Sequence, residues 1–205
     1  MKIVVVDDHE IFRLGLRALL EAESGFEVIG EAENGKSALK IIADTLPDVI
    51  ILDYAMPGLS GLEIMQILRQ RLSPAKVILL TASKSESVLS EALNAGANGL
   101  ILKQDASNQL VQAVESVANG EKIISSSIIP LVKRFDMLSK LTNRERQVLR
   151  LIANGYRNKE IAEDLNVALK TVDSHRTNLM RKLNLHNLTD LIEFVNKSGL
   201  NDPSI

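Results

Sequence analysis

The chain has 205 residues, 45% hydrophobic and 24% charged, with three histidines and no cysteine. That excludes disulfides and thiolate metal sites, three scattered histidines make no zinc site, and no apolar run approaches the roughly 20 residues of a membrane span. The net charge of −2 conceals an asymmetry, with 11 Lys and Arg against 17 Asp and Glu in residues 1–132, but 13 against 9 in 133–205.

An acidic front half and a basic back half point to two domains, the second charged to meet nucleic acid. Without cysteine and without a secretory pattern at the N-terminus, the expected location is cytoplasmic, with no membrane partner.

In chain order, apolar runs read as strands at 2–7, 27–32, 48–53, 76–81 and 99–102. Between and after them, amphipathic stretches read as helices at 9–22, 35–45, 61–71, 84–95 and 107–119. This alternation is that of βαβ units in a five-stranded parallel sheet. The third and fourth strands are nearly all apolar, as in a sheet covered on both faces. Beyond residue 120 the pattern breaks. Ser125-Ser126-Ser127 can open a short helix through Ile128, Ile129, Leu131 and Val132, with Pro130 in its first turn. Residues 121–140 therefore read as a linker with a helical piece.

From 141 onward the chain reads as short helices. Thr142-Asn143-Arg144-Glu145 fits a capping box, and Gly155 lies where that helix should stop. Stretches at 158–164 and 169–183 have helix-turn-helix proportions, and a last helix covers 187–197.

Three of the strand-like runs deliver charge at their ends: 3–6 into Asp7-Asp8, 49–52 into Asp53 and 100–102 into Lys103, while 77–80 ends in Thr81. As neighbouring parallel strands they would bring three carboxylates, a hydroxyl and an ammonium to the carboxyl edge of the sheet, where ligands bind in such folds. Asp7, Asp8 and Asp53 can hold Mg2+, which favours a few carboxylates plus waters and phosphate oxygens. Asp53 can also accept a phosphoryl group covalently, Lys103 can pair with the phosphate, and Thr81 can donate to it. A single Asp after a strand can equally be a cap of the next helix. Two adjacent carboxylates repel unless a positive charge lies between them, and the joint occurrence with Asp53 and Lys103 favours the functional reading.

On the 169–183 helix, Val172, Leu179 and Leu183 fall on one side, and Lys170, Ser174, Thr177 and Arg181 on the other, flanked by Asp173. That polar face suits a major groove. Lys159, Lys170, Arg176, Arg181 and Lys182 are placed to meet phosphates. A solvated face of a small helical bundle would show the same pattern. His175 reads as packing, and His9 and His186 as incidental.

Residues 1–120 resemble the receiver domain of bacterial two-component response regulators. The matching residues are Asp7-Asp8, the run Asp53-Tyr54-Ala55-Met56-Pro57-Gly58 with Gly61, Thr81 followed by Ala82, and Lys103. The resemblance implies a flavodoxin-like α/β receiver in which Asp53 accepts phosphate from a sensor histidine kinase. It also implies Mg2+ held by Asp8, Asp53 and the backbone carbonyl of Ala55, with Asp7 acting through a water. Two positions depart from the pattern: Leu100 stands where many receivers carry a switching aromatic residue, and Gln104 where many have a proline.

Residues 141–195 resemble the DNA-binding domain of the NarL/FixJ, LuxR-type helix-turn-helix family. The match rests on Leu141-Thr142-Asn143-Arg144-Glu145, Asn158-Lys159-Glu160-Ile161-Ala162, Lys170-Thr171-Val172 with His175, and Arg181-Lys182-Leu183. DNA contacts are then expected from Lys159, Lys170, Thr171, Asp173, Ser174, Arg176, Thr177, Arg181 and Lys182. Ala168 replaces the usual Ser or Thr at the start of the recognition helix, which should cost about 1 kcal/mol of helix-end stability.

The expected chain is a receiver at 1–120, a linker at 121–140 and an all-α helix-turn-helix domain at 141–205. Phosphorylation of Asp53 would control dimerisation and binding to double-stranded promoter DNA, with RNA polymerase a further partner and no turnover as an enzyme. Two alternatives stand beside it. A Mg2+-dependent phosphatase with Asp53 as nucleophile would need an acid two residues on, where this chain has Ala55. A DNA-binding regulator with a phosphorylation-independent receiver is opposed by the intact acidic set and favoured by Leu100.

Overall fold

The computed structural model describes residues 1–198, without the side chains of Leu188, Asn196, Lys197 and Ser198. Its first elements are β1 (Lys2–Val6), α1 (Glu10–Glu21), β2 (Glu27–Ala32), α2 (Gly35–Thr45), β3 (Val49–Asp53), α3 (Gly61–Gln70), β4 (Lys76–Thr81), α4 (Glu86–Asn94) and β5 (Gly99–Leu102). A 3-10 turn (Lys103–Asp105) leads into α5 (Ala106–Ala118), β6 (Ile123–Ile124) and α6 (Ile129–Ser139). Helices α7 (Asn143–Ala153), α8 (Asn158–Asp164), α9 (Leu169–Lys182) and α10 (Leu188–Ser198) follow. The chain divides into two compact units, one of Met1–Val132 and one beginning at Lys133.

The first unit is a parallel sheet in the order β2-β1-β3-β4-β5-β6. It has six strands where the sequence pattern predicts five. The addition is β6, which pairs Ile123 with Gly99 and Ile124 with Leu100. Two residues are too few to show the period-2 alternation by which a strand is read from sequence.

Alternation along the other strands sorts side chains to the two faces. Val4, Val6, Ile50, Leu52, Leu79, Leu100 and Leu102 pack with Ala38 and Ile42 of α2, Ile64 and Met65 of α3, and Leu89 of α4. Ile3, Val5, Ile51, Ile78, Leu80 and Ile101 pack with Leu16 and Leu20 of α1 and Leu110, Val114 and Val117 of α5. Every residue of β3 is buried, as the apolar run implied. The N-terminus of α3 lies so close to the end of β3 that a Cβ on Gly61 would collide with the Asp53 carbonyl, so only glycine fits there.

The predicted linker helix is α6, with Pro130 in its first turn, and it runs on to Ser139. Helix α7 opens with the expected box: Glu145 N–H donates to Thr142 Oγ1 at 3.3 Å and Thr142 N–H to Glu145 Oε2 at 2.7 Å. Val148, Leu149, Ile161, Val172, Leu179, Leu183, Leu191 and Val195 form the core of the second unit. Among them are Val172, Leu179 and Leu183, the side of α9 that the helical pattern sets opposite the polar face.

Candidate phosphoryl-acceptor site and nucleic-acid interface

Strand register builds the first site. Val6 lies beside Leu52, Asp53 beside Leu80 and Thr81 beside Leu102, so Asp7, Asp53, Thr81 and Lys103 follow one another across a single sheet edge. Asp7, Asp53 and Thr81 are each at most 1% exposed. Lys103 Nζ lies 2.8 Å from Asp7 Oδ2 and 2.8 Å from Asp53 Oδ2. Its ammonium also sits 5.0 Å from the centre of the Phe12 ring, a cation–π contact. Backbone N–H groups hold the rest: Ala55 donates to Asp53 Oδ1 at 3.3 Å, His9 to Asp7 Oδ1 at 2.9 Å and Ser83 to Thr81 Oγ1 at 3.0 Å.

Burial pushes the Asp53 carboxyl above the ordinary range; the bond from Lys103 offsets this in part, and the charge on Asp7 adds to it. For Lys103, burial works against the charge, but its bonds to Asp53 and Asp7 outweigh it and raise the ammonium above its usual value.

The carboxylates Asp7, Asp8 and Asp53, together with His9, present ligand atoms all within 4.8 Å of one another. Two of the buried oxygens, Asp7 Oδ2 and Asp8 Oδ1, have ion-pair neighbours but no donor in hydrogen-bonding geometry. Oxygens left in that state suit a hard divalent cation such as Mg2+. His9 is the residue the sequence reading passed over: its Nδ1 is 2.9 Å from Asp8 Oδ1 and 3.2 Å from Asp7 Oδ1. The signal was its place directly after Asp7-Asp8. Its ring is 68% exposed and offers nitrogen, which a magnesium site does not seek. Leu100, at the position of the absent aromatic, is fully buried among the residues facing α4.

The second unit places the predicted DNA-contacting residues along α8 and α9. Lys159, Lys170, Asp173, Ser174, Thr177 and Arg181 are exposed, while Thr171, Arg176 and Lys182 are partly buried. Ser174 Oγ donates to the Lys170 carbonyl at 3.0 Å and Thr177 Oγ1 to the Asp173 carbonyl at 2.9 Å, which leaves both hydroxyls as acceptors toward solvent. Asn158 of α8 donates to Asp173 Oδ1 at 2.6 Å and accepts from Arg176. It ties two expected readers together, a role that the helical pattern of α9 alone could not disclose. Lys182 reaches back to α7, with its Nζ 2.7 Å from Glu145 Oε2. Glu145 is 3% exposed; burial works against its charge, but Lys182 and Thr142 hold its carboxyl below the ordinary range. Ala168 stands at the N-terminal cap of α9 without a side-chain bond, as its sequence implied.

Residues 3–115 match the response regulator receiver domain family, and residues 139–195 match the bacterial regulatory proteins of the luxR family. A nitrate/nitrite response regulator protein homolog of Haemophilus influenzae is 38% identical over 190 residues, covering 91% of each chain. The oxygen regulatory protein NreC of Staphylococcus carnosus is 38% identical over 216 residues, covering 98% of this chain and all of that one. Among solved structures, the RcsB response regulator of Salmonella typhimurium is 29% identical with a TM-score of 0.67, covering 96% of this chain and 98% of that one. RcsB in a complex with DNA is 30% identical with a TM-score of 0.64, at the same coverage. The chain belongs to the two-component response regulators that join a receiver to a luxR-type DNA-binding domain and regulate transcription.

Proposed function

We propose that a sensor histidine kinase phosphorylates this chain on Asp53 and that this controls its dimerisation and sequence-specific binding to promoter DNA. The receiver then spans 1–120, the linker 121–140 and the DNA-binding domain 141–205. The observation that carries the reading is Lys103 Nζ bridging Asp7 and Asp53 at 2.8 Å each, at one end of adjacent parallel strands.

Asp8, Asp53 and the Ala55 carbonyl would hold Mg2+, with Asp7 acting through a water. When bound, the cation neutralises phosphoryl oxygens and orients their approach. An Asp53 carboxylate oxygen forms the new O–P bond as the P–N bond to the kinase's phosphohistidine breaks, and the bonding pair leaves with the imidazole nitrogen. Lys103 exchanges its bond to Asp53 for the phosphoryl oxygens, and Thr81 donates its hydroxyl to one of them. Positioning and charge stabilisation are all that this transfer asks, so the chain acts as a substrate and switch in the cytoplasm rather than as an enzyme. The basic face of α8 and α9 would enter the major groove, and RNA polymerase would be the next partner at the promoter.

Intact mass after incubation with acetyl phosphate and Mg2+, on wild type and Asp53→Ala, tests the reading. One phosphoryl group gained by wild type alone, with tighter DNA binding or dimer formation, is the expected result. No gain from acetyl phosphate or from any candidate kinase would leave a DNA-binding regulator with a phosphorylation-independent receiver.

A further inference from the structure

Asp105 carries the unusual feature. It stands at the N-terminal boundary of α5 with φ −97° and ψ −6°, helical values rather than the extended ones from which a capping side chain accepts first-turn N–H groups. Its side chain makes no such bond. Instead its Oδ2 accepts from Ser127 Oγ at 2.6 Å and from Ser125 Oγ at 2.9 Å. Those two bonds, first Ser127 and then Ser125, hold its carboxyl below the ordinary range.

The partners are as telling as the bond. Ser125 is 1% exposed, and its N–H donates to the Leu100 carbonyl at 2.9 Å. Its own carbonyl accepts from Ile128 at 2.8 Å and Ile129 at 3.3 Å, so Ser125 opens the turn that leads into α6. Ile128 is fully buried in the core of the first unit. Asp105 therefore fastens the root of the segment that continues in sequence to the DNA-binding domain. It does so from the turn that begins at Lys103, closed by the Ala106 N–H to the Lys103 carbonyl.

We propose that Asp105 is a positioning residue that couples the Lys103 turn to the root of α6, holding Ser125 and Ser127 in one state and releasing them in the other. The proposal rests on Asp53 being the phosphoacceptor. A phosphoryl group on Asp53 draws Lys103 off its bond to Asp53 Oδ2, and the turn that Lys103 shares with Asp105 shifts. The Asp105 carboxylate keeps both serine bonds while the turn holds its place, and gives them up to water when the turn shifts. Held and released are the two discrete arrangements a switch requires. It also gives an output route where Leu100 cannot swing as an aromatic would. Gln104, in place of proline, leaves the intervening residue free to follow.

The test is amide hydrogen exchange on the full chain with Mg2+, with and without beryllofluoride as the phosphoryl mimic. In wild type, beryllofluoride should protect 54–60 and speed exchange at 123–132. The expected size is that of an ordinary coupling, about 5- to 150-fold. Asp105→Ala should exchange fast at 123–132 from the outset and show no further response there, while 54–60 responds as in wild type. Asp105→Asn keeps an acceptor oxygen and should restore the response. The same variants should gain one phosphoryl group by intact mass, while the effect of phosphorylation on affinity for a duplex selected from random sequence collapses in Asp105→Ala. Should Asp105→Ala fail to fold, the exposed Ser127→Ala decides, with a reduced response expected. An unchanged response in that variant or in a folded Asp105→Ala, or a wild type silent at 123–132, overturns the coupling. A wild type silent at 54–60 and without phosphoryl uptake overturns the phosphoacceptor reading, and the coupling with it.

Discussion

Lys103 Nζ is held 2.8 Å from Asp53 Oδ2, so the cation awaiting the phosphate already binds the carboxylate that would receive it. Without Lys103, Asp7 and Asp53 would face each other buried and unneutralised. Removing one partner of a buried pair costs about 3–5 kcal/mol. Lys103→Met should therefore lose about 3 kcal/mol in urea unfolding at pH 7 in EDTA, given the 16% exposure of the lysine side chain. Asp53→Asn alone should raise the urea midpoint at pH 7, because burial, with the charge on Asp7, disfavours the Asp53 carboxylate more than Lys103 repays. Combined, the two changes should recover part of the Lys103→Met loss. Equal urea midpoints for all four proteins would show that the bridge carries no stability.

The same crowding of acidic oxygens predicts a response to metal. A cation that binds only the folded state stabilises it by about 2.7 kcal/mol at a hundredfold excess over its dissociation constant. The melting temperature of wild type should rise with Mg2+, and the rise should disappear in Asp8→Asn and Asp53→Asn. His9→Ala should keep it, since the expected ligands are oxygens. A loss with His9→Ala would place the imidazole in the ion's environment.

The acidic set was legible because each member ends an apolar run, and parallel strands must bring their ends to one edge. What the sequence concealed was contact set by register or side-chain reach. The two-residue β6 is too short to show a period. Asp105 stands 20 and 22 residues before Ser125 and Ser127, and nothing local shows that its carboxylate turns to them. Lys182 reads as a phosphate contact because it is basic and on a recognition helix. Its bond to Glu145 joins residues 37 apart in sequence, a distance no helical period spans.

That bond gives the second unit a pH dependence of definite sign. Glu145 titrates below the ordinary carboxylate value when folded, so its stabilisation is complete above the unfolded value of about 4.3 and is lost as pH falls through the folded one. Lys182→Met should cost about 1–3 kcal/mol at pH 7. Its difference from wild type in urea unfolding should shrink as pH drops below about 4.3. A difference that grew toward acid pH would refute the assignment.

At the other end of α9, Ala168 leaves the first-turn N–H groups without a side-chain acceptor. Its φ of −68° and ψ of 147° are already those of a capping residue, so a hydroxyl can be added without moving the backbone. Ala168→Ser should gain about 1 kcal/mol in thermal or urea unfolding. No gain would mean that the bond from the Thr171 N–H to the Ala168 carbonyl, at 2.8 Å, already serves that turn.

What α9 reads follows from which hydroxyl protons are spent. Ser174 and Thr177 donate to backbone carbonyls, so their oxygens and the Asp173 carboxylate offer acceptors between the donors Lys170 and Arg181. In the major groove, acceptors suit the amino groups of cytosine and adenine and oppose the oxygens of guanine and thymine. Asp173 is further fixed by Asn158, itself bonded to Arg176. Selection from random duplexes should therefore enrich cytosine or adenine at the step under Asp173. Asp173→Ala should relax that one position by about 1–3 kcal/mol of discrimination. Arg181 is exposed and donates to Asn178 Oδ1 at 3.3 Å, a long bond that it can exchange for a phosphate. Arg181→Ala should weaken binding to every sequence alike and lower the salt slope by about 1. If Arg181→Ala instead changed the preferred sequence and left the salt slope intact, the two roles would have to be exchanged.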